Sequence, residues 1–316
     1  MTTDQLPLAL QMCPFSPTLE EGLRGLVEVV RWDMLDTDAQ ATFLNDRGAK
    51  VRAIATGGHI GCPADLMSAL PALGLIAING VGVDKVDLAE AARRGIGVTN
   101  TPDVLTVDVV DLAVGLTIDL LRGIAAGDRF VKEGRWTSAE RPLAHRVSGR
   151  KFGIVGLGRI GRATADRLAV FGPVRYTGPS AKDVAYDFEP DLLALARWAD
   201  VLVLTCPANA QTYRLIGTDA LDALGPQGFL VNVARGAVVD EAALVEAITH
   251  DRIAGAALDV FENEPHVPDA LRRSEKVVLT PHVASATIEC RKAMAEIVLG
   301  NLQAFLDEKP LLTPVT

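Results

Sequence analysis

An apolar run, Lys151-Phe-Gly-Ile-Val155, passes directly into Gly156-Leu-Gly158-Arg159-Ile160-Gly161 and then into a helical stretch, Arg159–Val170. A short strand, a Gly-x-Gly-x-x-Gly turn and a helix in that order read as the start of a dinucleotide-binding βαβ unit. Gly156 permits a tight turn, Gly158 lets the main chain approach a pyrophosphate, and Gly161 lets helix and strand pack closely. The phosphates then rest on unpaired N–H groups at the helix N-terminus. Parallel strands need crossover helices, so this motif commits its part of the chain to a parallel α/β sheet.

The rest of the sequence keeps the same alternation. Before the motif, strands are predicted at Leu8–Cys13, Val51–Ala55, Leu75–Ile78 and Gly97–Asn100, with helices over Pro63–Leu70 and Val86–Arg94. After it, strands are predicted at Val174–Thr177, Val201–Thr205, Phe229–Val233, Gly255–Val260 and Lys276–Thr280. Helices fill the gaps at Asp191–Arg197 and Glu241–Thr249, and long helices are predicted over Asp108–Ile124 and Ala286–Leu306. With 316 residues the chain is long enough for two domains, each with its own core.

A dinucleotide that lacks a 2′-phosphate is usually gripped by an acid at the end of the second strand, roughly 20 residues beyond the glycines. Here Val174-Arg175-Tyr-Thr177-Gly178-Pro-Ser180-Ala-Lys182 holds no acid before Asp183. Nothing in it repels a 2′-phosphate, and Ser180, Lys182, Arg175 and Arg159 are candidates to hold one. NADP(H) is therefore expected in preference to NAD(H).

Three later strands end beside groups suited to 2-keto acid chemistry. One leads from Val233 into Ala234-Arg235-Gly236, one into Phe261-Glu-Asn-Glu264-Pro265, and one into Pro281-His282-Val283. In open α/β sheets ligands bind beyond the carboxyl ends of the strands, where the glycine turn also lies. An arginine forks onto a carboxylate and polarises the neighbouring carbonyl. A histidine passes a proton to or from oxygen near neutral pH, and a carboxylate beside it fixes its orientation. The remaining histidines, His59, His145, His250 and His266, lack such a setting.

Composition narrows the partners. Formal net charge is −9 with no basic stripe, which argues against nucleic acid. No stretch reaches the ~18 uninterrupted apolar residues of a membrane span, and the N-terminus lacks the basic region of a signal peptide. A cytoplasmic protein is expected. Cys13, Cys62, Cys206 and Cys290 are scattered without metal-ligand spacing and read as reduced, buried thiols, so no metal is expected.

The segments INGVGVDKVDL (78–88), VTNTPDVLTVDVVDLAVGL (98–116), GIVGLGRIG (153–161), VNVARGAVVDEAAL (231–244), LDVFENEP (258–265) and LTPHVASAT (279–287) resemble the D-isomer-specific 2-hydroxyacid dehydrogenase family. The match runs over residues 50–305; the first 50 residues match loosely. The resemblance implies two Rossmann-like, doubly wound parallel-sheet domains with a cleft between them. The substrate domain is expected to be discontinuous, 1–100 plus 287–316, around a dinucleotide-binding domain over 101–286. It implies hydride transfer between NAD(P)H and a small 2-keto acid, giving the D-2-hydroxy acid. Arg235 would bind the substrate carboxylate and carbonyl, His282 would be the acid/base, and Glu264 would tune His282.

Asp259 resembles the aspartate at the nicotinamide end, Thr106 and Val109 resemble cofactor contacts, and Cys206 and Pro207 resemble the adenosine-side lining. Arg159, Ile160, Thr177 and Val233 complete the implied cofactor set. Val81 and Gly82 resemble the loop whose N–H groups receive the substrate carboxylate, with Gly57 and Gly58 facing the same pocket. A homodimer with the helix from Asp108 at its interface is also implied. The Tyr176-Thr177-Gly178 strand end is similar to the NADP(H)-using glyoxylate/hydroxypyruvate reductase branch, although Pro179 stands where that branch often has Arg. Gln replaces Glu264 in formate dehydrogenases, which disfavours that activity. Two other readings stay open: a dinucleotide-sensing, corepressor-like interaction protein, and a phosphoglycerate-dehydrogenase-type enzyme without a regulatory domain.

Overall fold

The structure, a computed structural model, describes residues 6–315, so the reading of residues 1–5 lies outside it. The chain divides into two compact units. One runs to Leu105 and resumes at Thr287; the other is Thr106–Ala286.

The first unit is a five-stranded parallel sheet of β1 (Leu8–Gln11), β2 (Glu28–Arg31), β3 (Val51–Gly57), β4 (Leu75–Asn79) and β5 (Gly97–Thr99), in the order β2-β1-β3-β4-β5. Its helices are α1 (Pro17–Leu26), α2 (Thr37–Arg47), α3 (Ala64–Ser68) and α4 (Leu88–Arg93). The period of two along each strand sorts residues between two cores. Leu10, Ile54, Ile76 and Ile78 face Met67 and Leu70 on one side. Ala9, Ala53, Ala55 and Ala77 line the other, where small side chains admit Leu19 and Leu23 of α1 and Ala295, Val298 and Leu302 of the last helix. Burying each such Leu or Ile stabilises the unit by about 1.5–3 kcal/mol.

The second unit opens with α5 (Thr106–Arg122) and α6 (Ile124–Lys132). Its seven parallel strands are β6 (Phe152–Val155), β7 (Val174–Thr177), β8 (Asp187–Phe188), β9 (Val201–Leu204), β10 (Phe229–Asn232), β11 (Gly255–Leu258) and β12 (Val277–Leu279), in the order β12-β11-β10-β9-β6-β7-β8. Helices α7 (Arg159–Leu168), α8 (Leu192–Trp198), α9 (Thr218–Leu224), α10 (Glu241–Thr249) and α11 (Asp269–Arg273) connect them, and α12 (Ile288–Leu306) returns to the first unit. On one face Leu202, Leu204, Leu230 and Leu258 pack with Leu195, Leu221 and Leu244.

The helix predicted over Asp108–Ile124 instead spans Thr106–Arg122. Gly123 takes φ 62°, which stops α5 and lets α6 start in a new direction. Chain order reverses between β6 and β9: β6 leads to β7 and β8 on one side, and β9 to β12 extend on the other. That reversal is where open α/β sheets leave a crevice for ligands. Among the described residues, no helix is long and apolar enough to cross a membrane.

Candidate active site

The glycine turn sits at the carboxyl end of β6, at the reversal point. Gly156 has φ 94°, and a Cβ there would lie 2.6 Å from the Cα of Cys206, just past the end of β9. A Cβ on Gly161 would stand 2.0 Å from the Gly156 carbonyl oxygen, so the helix approaches the turn more closely than any other residue allows. Gly158, the N-cap of α7, is different: a Cβ there would meet only open space. The turn is thus closed where it touches the protein and open where a pyrophosphate would meet the α7 N-terminus, so it fits a dinucleotide.

The neighbouring loop leaves β7 at Thr177, whose carbonyl accepts the Gly156 N–H at 2.9 Å. The buried Tyr176 hydroxyl accepts the Lys182 N–H at 2.6 Å, closing residues 177–182 into a compact turn. Ser180, Lys182 and Arg159 are exposed. Arg175 lies within β7, paired to Asp187 at 3.5 Å with its guanidinium 4.5 Å from the Trp198 ring.

Adjacent strands β10, β11 and β12 deliver the three polar groups to one sheet edge. Arg235 follows β10, with Nη1 donating to the Ala234 carbonyl at 2.8 Å. Asn232, a buried amide closing the apolar run of β10, accepts from Ala234 N at 3.0 Å and donates to the Arg235 carbonyl at 3.0 Å. Sequence reasoning passed over Asn232, although one amide in a buried strand signals a structural task. Gly236 then threads past the next loop so closely that a Cβ would lie 1.9 Å from the Phe261 carbonyl carbon.

Beyond β11, Glu264 accepts the Phe261 N–H on Oε1 at 3.1 Å and meets His282 Nδ1 through Oε2 at 2.7 Å. A carboxylate on Nδ1 makes that nitrogen the donor, which leaves Nε2 for proton exchange with a ligand. His282 has φ 52°, a left-handed backbone rare for a non-glycine residue.

Asp259, expected at the nicotinamide end, lies just past β11. Its side chain is 0% exposed, and both oxygens are taken by Thr280 Oγ1 and the N–H groups of Val283 and Ala284. Thr106 opens α5, Val109 is buried in its first turns, and Val233 is buried past β10. Pro207 is exposed beside Cys206, whose thiol burial pushes up to about 11, so it is no nucleophile. Burial also raises Cys13 to about 11 and Cys62 to about 12.

The remaining candidates belong to the first unit. Gly57 ends β3, and Gly58 lies against Gly82, whose carbonyl oxygen is 3.0 Å from where a Cβ on Gly58 would be. The Val81 carbonyl accepts from Asn100 Nδ2 at 2.9 Å, and the Asn100 carbonyl accepts from Thr313 Oγ1 at 2.6 Å. The buried Asn301 of α12 accepts the N–H groups of Leu312 and Thr313 and so pins that C-terminal segment. Among the described residues, no cluster of His, Cys, Asp or Glu is placed to hold a metal.

Comparison with known proteins places these features in context. Residues 114–284 match the model of the D-isomer specific 2-hydroxyacid dehydrogenase NAD-binding domain. The chain is 45% identical to glyoxylate/hydroxypyruvate reductase A of Arabidopsis thaliana, over 97% of this chain and 98% of that one. It is also 45% identical to the 2-ketogluconate reductase of Gluconobacter oxydans, over 98% of each. Among solved structures, the NADPH-dependent glyoxylate/hydroxypyruvate reductase of Sinorhizobium meliloti, bound to NADP and malonate, superposes with a TM-score of 0.89. It is 41% identical, covering 98% of this chain and 97% of that one.

Proposed function

Because the chain belongs to the D-isomer-specific 2-hydroxyacid dehydrogenase family, we propose that it is an NADPH-preferring glyoxylate/hydroxypyruvate reductase. The observation that carries this reading is the Glu264–His282 pair, held at 2.7 Å at the strand edge that also carries Arg235. A corepressor-like role would not need this acid–base pair, and the relatives above are all reductases.

The dinucleotide, when bound, supplies the hydride that reduces the keto carbon. Gly156, Gly158, Ile160 and Gly161 would hold its pyrophosphate at the α7 N-terminus, and Thr106, Thr177, Val233, Cys206 and Pro207 would line its binding site. The chain's own residues do the rest. Arg235 forks onto the substrate carboxylate and draws charge from the neighbouring carbonyl. His282 gives its Nε2 proton to the carbonyl oxygen, while Glu264 holds Nδ1–H and steadies the ring.

The test is turnover with NADPH across glyoxylate, hydroxypyruvate and 2-ketogluconate. Glyoxylate and hydroxypyruvate should have the highest kcat/KM. Efficient turnover of 2-ketogluconate alone would overturn the substrate assignment.

NADPH preference is supported by the acid-free loop 178–182 and by the exposed cations Arg159 and Lys182. Gly178 offers a clean probe, because a Cβ there meets nothing within 4 Å. In Gly178→Asp the new carboxylate should repel a 2′-phosphate and accept from a free ribose hydroxyl. Two unit charges 4 Å apart interact by about 4 kcal/mol at an effective dielectric near 20, and less where water screens them. The ratio of kcat/KM for NADPH over NADH should therefore fall at least about tenfold. An unchanged ratio would mean that the 2′-phosphate lies elsewhere.

We also propose a homodimer. The stretch after α5 presents Ile124, Val131, Trp136 and Leu143 to solvent, Leu143 at 98% exposure, an apolar surface suited to a second copy. Light scattering should give twice the chain mass; a monomer at every concentration would refute this.

A further inference from the structure

We infer that Asn232 is a positioning residue for Arg235: its buried amide fixes the peptides on either side of the one that holds the guanidinium. The inference rests on the role proposed above for Arg235 in binding the substrate carboxylate. Asn232 closes β10 with 1% of its surface exposed. Its Oδ1 accepts the Ala234 N–H at 3.0 Å, and its Nδ2 donates to the Arg235 carbonyl at 3.0 Å. The first bond fixes the peptide between Val233 and Ala234, the second the peptide between Arg235 and Gly236. Between them lies the peptide whose Ala234 carbonyl accepts from Arg235 Nη1 at 2.8 Å. One side chain thus brackets the main chain on both sides of the arginine's own anchor.

The two bonds need an amide of this length. The acceptor half closes an Asx turn, in which a short side-chain oxygen takes the N–H two residues on. The donor half needs N–H groups on the same planar head, which a carboxylate lacks. Burial removes water as a substitute partner, so loss of the amide forces the turn to rearrange. Both ends of the segment are held independently. The Asn232 carbonyl accepts the Asp259 N–H at 3.0 Å, and a Cβ on Gly236 would lie 1.9 Å from the Phe261 carbonyl carbon. Loss of the amide therefore frees the middle, residues 233–235, and with it the direction of the Arg235 guanidinium. A guanidinium fork binds a carboxylate only at matched geometry, so carboxylate affinity is the quantity that this freedom lowers.

The test reads the competitive inhibition constant of oxalate, a carboxylate probe that accepts no hydride, beside KM and kcat for glyoxylate and the Kd for NADPH. Asn232→Ala should raise the oxalate constant and KM about tenfold and lower kcat several-fold, with NADPH affinity within about twofold of wild type. A misfolded fraction lowers kcat alone, so the oxalate constant separates positioning from lost stability. In an Arg235→Ala background the same change should raise the constant no further, because the residue it positions is gone. Asn232→Thr matches the amide in size and keeps the acceptor half of the turn through its hydroxyl. It should raise the oxalate constant a few-fold, less than Asn232→Ala, and it keeps the test decisive if the alanine variant fails to fold. Wild-type oxalate inhibition in either variant, or equal losses with and without Arg235, would overturn the inference. Failure of the Arg235 reading looks different: Arg235→Ala alone would then bind oxalate as wild type does, and the inference would fall with it.

Discussion

In the His282→Ala variant, kcat for glyoxylate reduction should fall by about 10²–10⁴ while NADPH binds as before. The keto oxygen gains negative charge as hydride arrives, and a proton delivered from a fixed donor removes the cost of forming a free alkoxide. Alanine leaves water as the donor, present but unoriented. No cofactor-binding feature should move, because the glycine turn is built from β6, α7 and the end of β9. The measurement is steady-state kinetics beside an NADPH titration and a circular dichroism spectrum that establishes folding. Near wild-type turnover would remove His282 from the reaction. The histidines set aside from sequence make suitable controls. His250 sits exposed at the end of α10 against Glu246, and His145 stacks edge-on to Phe229, 5.1 Å between ring centroids.

What the sequence made legible was whatever depended on short stretches of chain. The glycine turn was readable because each glycine answers a local steric demand: the φ of Gly156, and the contact of Gly161 with the Gly156 carbonyl. Arg235, Glu264 and His282 were readable as a group for a different reason. Parallel strands all present their carboxyl ends on one edge, so three polar groups after three strands must share that edge whatever the strand order.

Features set by tertiary packing stayed hidden. Asp259 looks like any acid at a strand end until burial and three donors reveal that its carboxylate faces inward. The pairing of Arg175 with Asp187 was hidden because β8, two residues long, carries no periodicity to announce it. β2 is partly exposed along its length and α2 buries no residue, so neither imprints a strong hydrophobic pattern on the first 50 residues.

Arg235→Ala should damage both steps that the arginine serves, raising KM for glyoxylate and lowering kcat together. The ground-state share follows from a hydrogen bond to a charged group, worth about 1.5–3 kcal/mol, which predicts a KM higher by about 10- to 100-fold. The transition-state share follows from the carbonyl oxygen, whose developing charge the guanidinium stabilises. Losing one such electrostatic donor costs about 10²–10³ in kcat. The two effects compound in kcat/KM, where this variant should be at least as impaired as His282→Ala. Truncation leaves the main chain intact, since Asn232 braces Ala234 and the Arg235 carbonyl through backbone atoms. Arg235→Lys separates charge from geometry. A lysine restores a positive charge but not the planar fork, so it should recover part of the KM and little of kcat. If Arg235→Ala instead left KM unchanged and lowered only kcat, the carboxylate would have to be held by other groups, and Arg235 would act on the carbonyl alone.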